Sequence, residues 1–199
     1  MKLIKTKQSG IALIFVLLIL VVVSLLGIGG AQLALMGEKG ARNERDSQIS
    51  RQYAEAALVD AEFDIRGLGT TSTARKDAFS SEMNFAPDCG TSGSLQGLCA
   101  QAFTGKPVWL TVPFDTTSSN PPYTTMGAQT GRALSSTGTG NGIQPALAPR
   151  YIVEVLPDSS TGTELGIEAP KKLLYRITSM GFGPRKDIQT VLQMVYRKE

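Results

Sequence analysis

The sequence predicts an α+β fold in which one long N-terminal α-helix, hydrophobic in its first half, packs on an antiparallel β-sheet. Three observations predict it. An apolar run without a charged side chain extends from Ile11 to Gly37. An alanine-rich amphipathic stretch continues it to Arg66 with no proline. Near the C-terminus, three segments alternate apolar and polar residues, and Gly181-Phe182-Gly183-Pro184 separates the last two.

The apolar run is 27 residues long. At ~1.5 Å per residue a helix of that length spans about 40 Å, more than the ~30 Å hydrocarbon core of a bilayer. Lys2, Lys5 and Lys7 precede it, and the first charge after it is Glu38. By the positive-inside rule the N-terminus stays in the cytoplasm and the rest of the chain lies outside it. Three readings of this segment compete. A secretory signal peptide expects an apolar run of roughly 7–15 residues followed by small residues; Gly29-Gly30-Ala31 fits the second demand, but the run is too long for the first. A plain uncleaved anchor is the second reading. In the third, a short basic leader is removed after Gly10 and the helix is kept. Gly27, Gly29 and Gly30 interrupt the run at about 1 kcal/mol each against alanine. They serve either as a hinge or as close contacts for neighbouring helices.

Beyond Glu38, Ala54, Ala57, Leu58, Ala61 and Ile65 share one helix face, while Arg51, Glu55 and Glu62 fall largely elsewhere. The helix is expected to run from Ile11 to Arg66 and to stop at Gly67-Leu68-Gly69. The apolar stripe covers too few heptads to favour a coiled coil. A body of residues 67–199 follows. It opens with a short helix near Ala74–Met83 and a strand bounded by Pro107 and Pro113. A long exposed loop from Asp115 to Gly142, rich in Ser, Thr, Gly, Asn and Pro, comes next. Strands are expected at Arg150–Leu156, with Tyr151, Val153 and Val155 on one face, and at Lys172–Met180, with Leu173, Tyr175 and Ile177 on one face. A third is expected at Asp187–Arg197, with Leu192, Met194 and Tyr196 on one face. The last two form an antiparallel hairpin across the Gly-Phe-Gly-Pro turn.

Composition narrows the function. The chain has 199 residues, enough for one domain plus an anchoring segment. Of its 20 basic residues three lie in the leader, so the remaining 17 balance 17 acidic ones, and its net charge of +3 is no sign of a nucleic-acid surface. There is no histidine, which removes the commonest general base and metal ligand. Carboxylate or lysine chemistry remains open, but no catalytic motif accompanies it. Cys89 and Cys99 lie in a glycine-rich stretch with Pro87, Gly90, Gly93 and Gly97. They read as a disulfide formed in an oxidising compartment, the alternative being two buried thiols; zinc is disfavoured with two sulfurs and no imidazole. Asp158 to Glu164 alternates oxygen ligands but lacks calcium-loop spacing, so a solvated turn is the better reading. Arg75-Lys76, Lys171-Lys172 and Arg185-Lys186 read as solvated pairs with acidic neighbours, and Trp109 and Tyr123 as lone aromatics, packed or incidental rather than binding platforms.

The stretch KQSGIALIFVLLILVVVSLLGIGGAQLA resembles the N-terminus of type IV pilins: a basic leader, Gly10, then an apolar helix. Tyr53-Ala-Glu-Ala-Ala-Leu58 followed by Asp60-Ala-Glu62, together with the tail YRITSMGFG…VLQMVYRKE, is similar to the PilX class of minor pilins. The resemblance covers about residues 7–66 well and 150–199 loosely, and leaves about 67–149 unmatched. It implies a pilin-like fold, cleavage by prepilin peptidase between Gly10 and Ile11, and N-methylation of Ile11. It implies assembly with other minor pilins and the major pilin through the N-terminal helix, after residence in the bacterial inner membrane. It implies a tip or priming complex that can include an adhesin; the missing histidines, the lack of any motif and the charge balance beyond residue 10 separately predict no enzymatic activity, cofactor, metal or nucleic acid. Major pilins carry a glutamate at the fifth mature position, where this chain has Phe15. In the family that carboxylate meets the amino terminus of the subunit above. Its absence points either to a place at the pilus tip or to poor incorporation or incorporation elsewhere. The alternatives are a type II secretion pseudopilin, which would carry a larger inserted domain, and a membrane-tethered binding module for adhesion or DNA uptake.

Overall fold

The computed structural model describes residues 10–68, 75–133, 143–157 and 173–198. The chain divides into two units, Met1–Arg45 and Asp46–Glu199. One helix, α1 (Ile11–Arg66), runs through both. The first unit holds its apolar part. The second holds its last six turns and the folded domain.

α1 ends where the sequence says it should. Gly67 takes φ +73°, a conformation that strains any residue with a Cβ. Leu68 N donates to Phe63 O at 2.9 Å and Gly67 N to Asp64 O at 3.1 Å, the paired bonds of a Schellman stop. The predicted face is the buried one: Ala54, Ala57, Ala61 and Ile65 are fully buried and Leu58 packs beside them.

Five strands are present among the described residues: β1 (Leu98–Cys99), β2 (Thr124–Thr125), β3 (Arg150–Pro157), β4 (Leu173–Phe182) and β5 (Gln189–Arg197). β3, β4 and β5 pair antiparallel in sequence order, with Tyr151 opposite Ser179 and Ile177 opposite Met194. The other edge of β3 is shared by β1, parallel, and β2, antiparallel. The sheet is therefore mixed at that edge, although its three long strands form the expected antiparallel meander. Two-residue strands leave no periodicity to read, which is why β1 and β2 escape the sequence.

The inward faces of the long strands meet the helix. Tyr151, Val153, Val155, Tyr175 and Ile177 join Ala57, Ala61 and Ile65 in one core, with Leu173, Met194 and Tyr196 packed at its margin. Phe79 and Phe85 close it, each with its ring about 6 Å from that of Tyr175. The opposite face of β3 carries a second core of Cys89, Cys99, Val108, Phe114, Tyr123 and Ile152. A loop layer thus covers the sheet on the side away from the helix.

Several expectations are corrected in this layer. Pro107–Pro113 is not a strand: Val108–Leu110 forms a single 3-10 turn. Prolines at both ends remove the ladder donors, and burying Val108 with Trp109 and Val112 beside it satisfies the apolar residues instead. The helix expected near Ala74–Met83 is two short 3-10 segments, Lys76–Ser80 and Glu82–Asn84. Tyr123 is not isolated; it stacks on Phe114 at 6.1 Å and lies beneath the Arg150 guanidinium at 4.4 Å. The expected 115–142 loop is tied to the domain as far as residue 133. Its glycine cluster at 138–142, the 158–164 turn and Lys171-Lys172 lie outside the described residues.

Candidate functional site

The candidate site is the exposed first half of α1, with the anchorage that fixes its second half to the domain. Every large apolar side chain from Ile11 to Leu26 is exposed, by 46 to 70 %, and Ile28, Leu33, Leu35 and Met36 are exposed as well. A soluble helix does not present such a surface to water; contiguous apolar area of this size marks a membrane or protein interface. The helix is long and apolar enough to cross a membrane. Gly10 precedes its first residue, Ile11, and both are exposed. Phe15 lies one turn further on, 62 % exposed. Gly27, Gly29, Gly30 and Gly37 have open space where a Cβ would stand. The polar stretch begins with the Glu38–Arg42 ion pair at 2.5 Å, one turn apart on the helix surface.

Within the domain unit the helix is fixed by close approach and by buried polar groups. Gly181 of β4 touches it: a Cβ there would stand 2.0 Å from Ser50 O and 2.3 Å from Ala54 N. Ser179 Oγ donates to Ala54 O at 2.9 Å, and the hydroxyls of Ser50 and Thr190 meet at 2.6 Å. Small residues on both sides thus bring helix backbone and sheet into contact.

Two aspartates on the same helix face are fully buried. Asp60 accepts from Gly127 N at 2.8 Å and from the Thr130 hydroxyl at 2.5 Å, and it draws Arg132 to 3.8 Å. It tethers the 127–132 loop. Asp64 accepts from the Tyr151 hydroxyl at 2.8 Å and pairs with Arg75 at 3.0 Å. Burial raises the Asp64 carboxyl to about 6, against the attraction of Arg75 and the Tyr151 hydrogen bond. Burial, and then the Asp64 charge, push the Tyr151 phenol well above its ordinary range. Arg75 is therefore not a solvated surface residue: it is 1 % exposed because a buried carboxylate needs a counter-charge. Arg185 does lie at the surface, paired with Asp187.

Sequence reasoning missed Asp60 and Asp64. The signal was present, because both fall three residues after buried alanines, Ala57 and Ala61, on the apolar stripe itself. Glu154 was missed as well. It is fully buried on β3 and takes a bidentate fork from Arg176 of β4 at 2.8 and 2.9 Å.

Cys89 and Cys99 form a disulfide, with Cα atoms 3.9 Å apart. Both are buried in the second core. Cys99 belongs to β1, so the bridge fastens the 86–97 loop to the sheet, and Gly97 N donates back to Cys89 O at 2.7 Å. Among the described residues no group of three or more Cys, Asp or Glu is arranged to hold a metal ion. These polar clusters tie elements of the domain together.

No curated protein and no solved structure matches the chain. Two family models do: PilX N-terminal over residues 9–59, and type IV pilus assembly protein PilX C-term over residues 95–198. The first covers the apolar helix and its amphipathic continuation as far as Val59, the second Cys99, the loop layer from Leu95 onward and the whole sheet. Together they span most of the described fold, so the chain belongs to the PilX family of type IV pilus assembly proteins and is a minor pilin.

Proposed function

We propose that this minor pilin is cut between Gly10 and Ile11 by prepilin peptidase and methylated on Ile11. It would then wait in the bacterial inner membrane with its domain in the periplasm, and enter a tip or priming complex of the pilus. Its partners there are other minor pilins and the major pilin, and a tip adhesin is the natural cargo of such a complex. The observation that carries this reading is the exposed, charge-free helix from Ile11 to Met36. Such a surface is stable in lipid, and it is stable again when sister helices replace the lipid. Where water is excluded, each Å² of apolar area contributes roughly 25 cal/mol.

Phe15 supports a place at the tip. A carboxylate in an apolar helix bundle costs several kcal/mol unless a cation meets it. A subunit with a phenylalanine there lacks a partner for the amino terminus of a neighbour above it, and so fits best where no neighbour lies above. The test is mass spectrometry of the N-terminal peptide from piliated cells. A methylated Ile11 start supports retention of the helix; a start near Gln32 identifies a secretory signal instead and overturns the reading.

A further inference from the structure

β5 is an edge strand. Among the described strands it pairs only with β4, through an unbroken register of nine residue pairs from Leu174–Arg197 to Phe182–Gln189. Natural edges are blunted by lysines, prolines, bulges or short length. β5 has none of these between Gln189 and Arg197: seven residues without charge or proline, Thr190-Val-Leu-Gln-Met-Val-Tyr196. Half of its backbone N–H and C=O groups point away from β4. On the face away from the helix, Val191 and Val195 stand exposed, by 43 and 59 %. Among the described residues the loop layer packs on β3 at that face, with Ile152 in its core, and these valines are not part of that core.

The C-terminal end of the same strand has a different chemistry. Tyr196, Arg197 and Lys198 meet Arg66 and Leu68 at the end of α1, and Lys76, around an open cavity of about 610 Å³. Four of its six lining residues are cationic and none is acidic. Arg66 also pairs with Glu62 one turn back on the helix. Burial and the neighbouring Lys76 lower the Lys198 ammonium from its ordinary range, with Asp77 acting against them, so the charges in this corner crowd one another.

The geometry points to β5 as the receiver of an extended segment from another protein, which adds a strand to the sheet and places a carboxylate in the cationic cavity beside Tyr196. Cross-strand neighbours share a face. The incoming residues opposite Val191 and Val195 therefore lie over the exposed valines, and the one opposite Tyr196 lies on the helix side next to the cavity. Read in parallel, the segment is apolar-x-x-x-apolar-acidic; read antiparallel, it is the reverse. Main-chain bonds supply the affinity in this mode of recognition, and the alternating side chains supply the specificity. This contact is additional to helix-mediated assembly and depends on that reading only for bringing partners within reach.

The test uses the full chain in piliated cells, with a photo-crosslinking amino acid at Val195 and, as control, at Met83, an apolar side chain 89 % exposed elsewhere on the domain. The expected result is a Val195 adduct, absent from the Met83 control. Its partner peptide maps to an extended segment carrying the stated pattern. The double substitution Lys76→Glu, Lys198→Glu should reduce the adduct at least tenfold while the Cys89–Cys99 disulfide still forms, and Lys198→Gln alone should reduce it several-fold. An adduct with a second copy of this chain, with lipid, or with a segment lacking an acidic residue overturns the inference. So does no adduct at all, or one indifferent to both charge changes. Since Ile11 methylation is read in the same sample, such a failure leaves the assembly reading standing.

Discussion

The Tyr151 hydroxyl donates a 2.8 Å hydrogen bond from the sheet to Asp64, two residues before the end of a helix whose first half is apolar. A buried carboxylate gives the helix a fixed rotation and register against the sheet, because a shift of one residue would leave it facing apolar side chains. Tyr151→Phe removes the donor but keeps the ring. Asp64 then loses an interaction that favours its charged form, and its carboxyl moves up further. Thermal or denaturant unfolding of the full chain in detergent should show a loss of about 1–3 kcal/mol.

The same carboxyl makes stability depend on pH, with a sign that follows from its direction of shift. In the folded protein Asp64 holds its proton up to about 6, whereas its ordinary value is 3.8. Between about pH 4 and 6 the folded state binds the proton and the unfolded state has lost it. The Asp64 contribution therefore falls as pH rises through that window and is level above it. Asp64→Asn removes the titration. Unfolding free energies at a series of pH values should show the difference between wild type and Asp64→Asn moving in favour of the Asn variant from pH 4 to 6, then staying constant. Asp64→Ala, which leaves Tyr151 without its acceptor and Arg75 without its counter-charge, should be the less stable of the two variants throughout.

Gly181 is required by contact and not by backbone conformation. Its added Cβ would collide with Ser50 O and Ala54 N, helix backbone that cannot swing aside. Gly93 is the converse, with φ +61° and nothing within 4 Å of a Cβ. Gly93→Ala should cost only the left-handed strain, about 1–2 kcal/mol. Gly181→Ala should cost more, at or beyond the ~1–3 kcal/mol of ordinary overpacking, because it separates helix from strand. Parallel unfolding curves and amide exchange of residues 50–57 would check the order.

Cys89 and Cys99 enclose nine residues and anchor them to β1. Replacing both by serine should lower stability by roughly 2–4 kcal/mol. The loss should fall on the loop layer first, since the second core contains both sulfurs while the helix–sheet core contains neither. Limited proteolysis before and after reduction should cut within 86–97 while the β3–β5 meander resists.

What could be read from the sequence follows from periodicity. The helix, its stop at Gly67 and the three long strands with their inward faces each repeat a pattern over many residues, so burial and local geometry agree. The loop layer repeats nothing. Its 3-10 turns and two-residue strands are set by what lies beneath them: Ile152 for Val108, and Arg150 for Tyr123. The buried ions were hidden for another reason. Asp64 and Arg75 are eleven positions apart, and Glu154 and Arg176 twenty-two, so neither pairing has a local signature. The exposed helix was the most legible element of all, because a side chain's affinity for lipid or for a sister helix is a property of its own composition.

Phe15 tests that assembly surface directly. If the fifth residue after Gly10 decides whether a subunit has another above it, Phe15→Glu restores the group that an amino terminus from above would meet. In the bilayer the new carboxylate is a burden of a few kcal/mol, so the amount of inserted protein should fall. Within the fibre the charge is met, so the protein that does enter should no longer be confined to one end. Gold labelling of the domain on sheared pili should then pass from one particle at the tip to particles along the shaft, with piliation retained. Labelling that stays at the tip would mean the domain, through surfaces such as β5, fixes the position. Phe15→Leu, which keeps the helix apolar, should leave both the amount and the position unchanged. A change in that variant would assign Phe15 a packing role of its own, since leucine differs from phenylalanine in shape and not in charge.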